Sequence, residues 1–169
     1  VEKLSELAES RVDVVIPASE PEIARLSKLS TPARLPNGIP ILCQSHEWSS
    51  VHGDKLRSMQ ALEHHVSLAP FADASDHDAV ARLVASVGFP IVVKPRRSSG
   101  ARNIRVVNSE SEMERVLADQ ETAVAQAWLD DDRGEYSVAV HGRGEELVLL
   151  AFRRSLGSSG CSWYAETSD

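Results

Sequence analysis

The sequence has no long hydrophobic run. Its longest apolar stretches, residues 12–16 and 147–152, are strand-sized, well short of the roughly 18–20 residues that span a bilayer. The amphipathic start, Val-Glu-Lys-Leu-Ser-Glu-Leu, lacks the apolar core of a secretory leader. No membrane partner is expected. Cysteine is scarce. Cys43 and Cys161 stand far apart and form no C-x-x-C pair, so they read as reduced thiols of a cytoplasmic protein, with one disulfide as the alternative. Trp48, Trp128 and Trp163 are scattered, which makes no stacking platform for single-stranded nucleic acid. The net charge of −7 also argues against a general nucleic-acid partner, because phosphate backbones attract basic surfaces. A nucleotide pocket needs only a few focused cations. The signatures G-x-x-x-x-G-K-[ST], G-x-S-x-G and H-E-x-x-H are all missing, which removes the P-loop, serine-hydrolase and zincin readings. His64 and His65 are adjacent on an expected helix and point to different faces, a poor metal pair. Asp130-Asp131-Asp132 reads as a solvated turn before a cation site.

What is present is a globular composition. The 169 residues are 42% hydrophobic and 25% charged, suited to one ordinary domain or two small ones. Leu4, Leu7 and Ala8 predict a short helix over 2–10. Residues 12–16 predict a buried strand ending at Pro17. Ser19 and Glu22 form a capping box with Pro21 in the first turn, opening a helix with Ile23, Leu26 and Leu29 on one face. After the turn signals at Thr31-Pro32 and Pro36-Asn37-Gly38, residues 39–43 predict a strand. This βαβ order favours a remnant of parallel α/β sheet.

Beyond Gly53 the spacing predicts a helix over 54–66, an extended piece at 68–71, and a helix capped at 75–78 and stopped by Gly88. The rhythm then changes. Strands are expected at 89–93, 104–107 and 123–129, with a helix opened by Ser109 and Glu112 between the last two. Residues 136–140 and 147–152 predict a hairpin around His141-Gly142-Arg143-Gly144. This second part is α+β with a mostly antiparallel sheet.

The most informative stretch is Gly88-Phe89-Pro90-Ile91-Val92-Val93-Lys94-Pro95. An ammonium ends an apolar strand and so stands on a rigid element. Arg96, Arg97, Ser98, Ser99, Gly100, Ala101 and Arg102 follow, a loop whose backbone amides and small side chains can lie over phosphates. A solvated lysine beside a hairpin loop explains the same pattern equally well.

Order and spacing point further. Gly53-Asp54-Lys55, Gly88 to Pro95, Ala123-Val124-Ala125-Gln126-Ala127-Trp128-Leu129, and Gly134-Glu135-Tyr136-Ser137-Val138-Ala139-Val140 follow one another. From about residue 12 onward the chain resembles ATP-grasp enzymes, especially the carbamoyl-phosphate synthase large-subunit type. The resemblance implies an ATP-grasp-like fold with four parts: a partial pre-ATP-grasp parallel βαβ unit at 1–52, a helical linker at 53–87, an ATP-lid α+β subdomain at 88–152, and the start of a C-terminal subdomain at 153–169. It implies that Lys55 and Lys94 contact ATP phosphates from two directions. Arg96, Ser98, Ser99 and Gly100 would belong to the phosphate loop. Gln126 would meet the adenine edge, with the backbone of Ala127, Trp128 and Leu129 reading the ring. Glu135 would bind the ribose hydroxyls; a solvated hairpin residue is its plainer reading. Arg154, near the acyl phosphate or substrate in the family, is a weak catalytic candidate here and reads equally as a basic strand end.

The sequence departs from the family pattern in two places. The phosphate loop is usually richer in glycine; Ser98, Ala101 and Asn103 stand where glycine or serine is common, so a stiffer loop is expected. The magnesium-binding carboxylates, including a late Glu-x-Asn, would lie downstream of Asp169, so no metal ligand is assigned. The expected activity is ATP-dependent ligation of a carboxylate through an acyl phosphate, with ATP and Mg²⁺ as cofactors and these 169 residues not catalytic alone. The carboxylate substrate is unknown. A non-catalytic nucleotide-binding or structural module is the alternative. Self-association through the last sheet is expected.

Overall fold

Ser19 and Glu22 are three residues apart, the spacing at which a carboxylate reaches back to the N-cap amide. In the computed structural model Glu22 Oε2 accepts from the backbone N–H of Ser19 and of Ala18, each at 3.1 Å. Pro21 follows in the first turn, where a missing N–H costs nothing, and helix α1 runs Glu20–Leu26. The structure describes residues 12–98, 100–119, 122–130, 134–143, 146–157 and 162–167. The helix expected over 2–10 lies outside them. The chain divides into two units, Val1–Leu68 and Ala69–Asp169.

The first unit has a small core of Leu26, Ala33, Leu35 and Ile41, with Val15, Ile39 and Cys43 packed against it. The strands expected at 12–16 and 39–43 are reduced to single bridges. Val15 pairs in parallel with Ile41, and Arg34 pairs antiparallel with Pro40. Pro17 closes one segment and Pro40 has no N–H to donate, so neither ladder extends. Helix α2, His46–His52, was not expected. It carries no apolar stripe for periodicity to detect, and Ser45 Oγ caps it by accepting from Trp48 N–H at 3.3 Å. Helix α3 spans Lys55–Leu62, shorter than the expected 54–66. Its last turn tightens, with His65 N–H donating to Leu62 O at 2.8 Å, an i+3 bond common at helix ends.

The second unit opens with β1 (Phe71–Asp73), α4 (His77–Val87), β2 (Ile91–Pro95), β3 (Arg105–Val107), α5 (Glu110–Asp119) and β4 (Ala123–Ala127). Asp76 Oδ1 caps α4 by accepting from Ala79 N–H at 2.9 Å. Gly88 stops α4 with φ of +73°, a conformation glycine adopts freely. Asn108 N–H donates to Glu112 Oε2 at 2.8 Å, and Glu112 N–H to Ser109 Oγ at 3.4 Å, so the second expected capping pair is also made. The four strands form an antiparallel sheet in the order β1-β4-β2-β3. Period-two alternation turns Ile91 and Val93 to one face with Ala123 and Ala125. Val80 and Leu83 of α4 and Met113 of α5 bury against that face. Each large side chain so removed from water contributes about 1.5–3 kcal/mol.

Strands β5 (Glu135–Arg143), β6 (Glu146–Leu156) and β7 (Ser162–Thr167) form a second antiparallel sheet in that order. The expected hairpin is present but longer. Strand β5 continues through His141, Gly142 and Arg143, and residues 144–145 lie outside the described residues. Opposed residues share a face, so Tyr136, Val138, Val140, Leu147 and Leu149 line one side, and Val148, Leu150 and Phe152 the other. Strand β7 was not expected. The α+β class inferred from the sequence is the architecture of this unit.

Candidate functional site

The face of the four-stranded sheet opposite the helices carries the polar groups. In the register of β2 with β4, Lys94 opposes Val124 and Val92 opposes Gln126. Lys94 and Gln126 are therefore diagonal neighbours, within reach of long side chains. Lys94 Nζ donates to Gln126 Oε1 at 2.5 Å. One row further along, Arg96 Nη1 lies 3.7 Å from Asp73 Oδ2. Strands β1 and β2 both run antiparallel to β4, so Asp73 and Pro95 end at the same side of the sheet. The ion pair thus crosses the first residue of β4. Asp73 is anchored in turn, its Oδ1 accepting from Ser75 N–H at 3.1 Å and Ser75 Oγ at 2.9 Å. Arg96 N–H donates to Thr122 O at 3.1 Å.

Among the described residues of the loop between β2 and β3, three lie in the left-handed region: Gly100 at φ of +64°, Ala101 at +54° and Asn103 at +59°. Asparagine tolerates that region better than most residues. Alanine pays for its Cβ, on the order of 1–2 kcal/mol. Glycine's absence at 101, noted in the sequence, is thus a backbone strain in the structure. Ser98 is in the loop; Ser99 lies outside the described residues.

At the end of β4, Ala127 N–H donates to Pro70 O at 2.9 Å, which extends the β1 pairing. Trp128 Nε1 donates to Asp130 Oδ1 at 3.0 Å, and Leu129 is largely exposed.

A half-open pocket of about 510 Å³ lies at one end of the three-stranded sheet, lined by residues including Glu135, Arg153, Arg154 and Tyr164. Glu135 and Arg154 are direct cross-strand partners, and Arg154 Nη2 forms an ion pair with Glu135 Oε1. Gly134 enters the strand at φ of +83°, with Arg153 Nε 3.0 Å from where a Cβ would stand. In the first unit, buried Asp54 caps α3, its Oδ1 accepting from Leu56 N–H at 3.1 Å and Arg57 N–H at 3.4 Å. Lys55 follows it in the first turn, where the helix dipole disfavours a cation. Burial holds its ammonium below the ordinary lysine range, while the carboxylates of Glu20 and Asp54 pull it back up.

Residues 52–161 match the family model described as the ATP-grasp domain. The chain belongs to the ATP-grasp family. It is 30% identical over 115 residues to the formate-dependent phosphoribosylglycinamide formyltransferase of Hahella chejuensis, a match covering 66% of this chain and 27% of that protein. The same enzyme of a Synechococcus species is 33% identical over 104 residues, covering 61% and 26%. The matched region is thus about a quarter of the length of these curated relatives. Among solved structures, the biotin carboxylase–β,γ-ATP complex of Campylobacter jejuni superposes with a TM-score of 0.74 at 18% identity, covering 95% of this chain and 38% of that one. Staphylococcus aureus N5-carboxyaminoimidazole synthetase complexed with ADP gives 0.70 at 16% identity, covering 98% and 44%. At these identities the likeness shows the fold.

Within this ATP-grasp chain, two predicted groups come together on the first sheet and two on the second: Lys94 with Gln126, and Glu135 with Arg154. Lys55 belongs to the other unit. The sequence reading did not single out Asp73. An acidic residue closing a short strand, two before a serine that its side chain can cap, was the available signal. Among the described residues, no three His, Cys, Asp or Glu side chains gather to hold a metal ion. No helix of the described residues is long and apolar enough to cross a membrane.

Proposed function

We propose that this chain is the ATP-holding portion of a ligase that activates a carboxylate as an acyl phosphate for attack by a nucleophile. The contact between Lys94 and Gln126 carries the reading. It sets an ammonium beside an amide on one polar sheet face, the combination that a nucleotide's phosphates and base require. Lys94 would offset charge on the phosphates, and Gln126 would meet the base edge. Because the Ala127 N–H is committed to Pro70 O, the ring would be read by the Ala127 carbonyl and by Trp128 and Leu129. Arg96, which also meets Asp73, would lie over the phosphates with Ser98, Ser99 and Gly100. Glu135 would accept from the ribose hydroxyls. Lys55 keeps its phosphate role as a separate proposal, resting on its place in the Gly53-Asp54-Lys55 motif that opens the matched region.

ATP, when bound, supplies the phosphoryl group. Mg²⁺ belongs to this proposal as the counter-ion of the ATP phosphates; among the described residues no three His, Cys, Asp or Glu side chains gather for it. The parts at 1–52, 53–87, 88–152 and 153–169, a carbamoyl-phosphate-synthase-like character and a cytoplasmic setting belong to the same proposal. Calorimetry with Mg-ATP tests it. Lys94→Ala should weaken affinity about tenfold or more, the effect of losing one charge-assisted contact. Unchanged affinity in that variant would remove Lys94 from the phosphates.

The exposed apolar residues on both faces of β5–β7 favour a second reading, a module that self-associates through this sheet. A monomeric mass by light scattering at high concentration would count against it.

A further inference from the structure

Arg154 has its guanidinium fork committed at both ends. Nη2 pairs with Glu135 Oε1 on β5, and Nη1 donates to Ser162 Oγ on β7 at 3.2 Å. The third nitrogen, Nε, is buried with no hydrogen-bond partner among the described residues. Arg154 therefore spans all three strands of its sheet, while its side chain keeps only 30% exposure. A group so held is poorly placed to follow a reacting substrate. It is well placed to fix its partner. The Glu135 side chain is 40% exposed, and its Oε2 has no protein partner among the described residues.

We propose that Arg154 is a positioning residue: it fixes the Glu135 carboxylate so that Oε2 accepts from a nucleotide 2′-hydroxyl, making this pair the device that distinguishes a ribonucleotide from its deoxy counterpart. This rests on the reading of Glu135 as the ribose acceptor and adds the residue that enforces it. A carboxylate free to rotate loses part of its hydrogen-bond energy to ordering. A carboxylate held by a planar fork has met that cost before the ligand arrives. Lysine, a point charge on a flexible stem, would hold the oxygen less well.

The test is calorimetric titration of the full chain with Mg-ATP and with Mg-2′-deoxy-ATP. The wild-type chain should prefer ATP about tenfold, the worth of one hydrogen bond to a charged group. Glu135→Gln should abolish most of that preference. Arg154→Ala should abolish a comparable part, Arg154→Lys should restore some of it, and the double variant should discriminate no worse than Glu135→Gln alone. If Arg154→Ala weakens both nucleotides equally, or leaves the preference intact while Glu135→Gln removes it, the positioning role is wrong and the ribose role stands. If Glu135→Gln leaves the preference intact, or neither nucleotide binds the wild-type chain, the underlying reading fails and this proposal with it. Where Arg154→Ala does not fold, Arg154→Lys carries the test: equal weakening of both nucleotides, or an undiminished preference, overturns the positioning role.

Discussion

The two sheets of the second unit are built from the same kinds of residue and treat water differently. In the four-stranded sheet, Ile91, Val93, Ala123 and Ala125 have no exposure at all, because α4 and α5 cover that face. In the three-stranded sheet, Val140 is 61% exposed, Leu149 59% and Trp163 76%. Both sheets hold continuous apolar runs, 91–93 in one and 147–152 in the other, so apolar content alone does not tell a buried strand from an uncovered one. The helices supply the difference. A sheet apolar on both faces is the pattern of a strand set covered on both sides, and no described helix packs on this one.

The largest expected effect breaks or upholds that contrast directly. Ile91→Ala should cost about 2–5 kcal/mol in urea unfolding. Leu149→Ala, on the open sheet, should stay within about 0.5 kcal/mol. Comparable losses would mean that β5–β7 is covered in solution. A smaller effect sharpens the contrast from the packed side. A well-packed sheet can hold a strained loop, and Ala101 is such a residue. Ala101→Gly should stabilise the chain by about 0.5–1 kcal/mol, the left-handed strain relieved less the extra chain entropy of glycine. Destabilisation instead would place residue 101 outside the left-handed region.

The smallest effect concerns Tyr164 on the open sheet. Its phenol donates to Glu166 Oε2 at 3.1 Å, and that hydrogen bond, with the carboxylate's charge, raises its pKa above 10.0. The neutral phenol is favoured by folding, so the stabilisation is present below the unfolded value of 10.0 and is lost as pH rises through the raised folded value. Ultraviolet titration against Tyr164→Phe isolates the group. Glu166→Gln should return it close to the ordinary range. A value still raised in that variant would point to a cover that desolvates the ring.

Much of this architecture was legible in the sequence where local chemistry decides it. The caps at Ser19, Asp76 and Ser109, the stop at Gly88 and the run from Ile91 to Lys94 each fixed an element. Helix α2 was not legible, because its start is a lone serine cap and it has no apolar stripe. Strand β7 was missed behind a Gly-Ser stretch. The insertion of β4 between β1 and β2 is a tertiary choice that no local pattern encodes. The same holds at the site. Lys94 and Glu135 were named from motif order, whereas the partners they meet depend on register. Arg154 opposes Glu135 because β5 runs on past Gly142, and Asp73 reaches Arg96 across an intervening strand.

That last bridge has a mechanical side. A load on the 96–103 loop would otherwise travel only through β2, β3 and their ladders. With Arg96 strapped to Asp73, and its N–H tied to Thr122, the load is shared among three strand ends at once. Residue 96 is then the anchored end of the loop, ahead of the left-handed residues Gly100, Ala101 and Asn103.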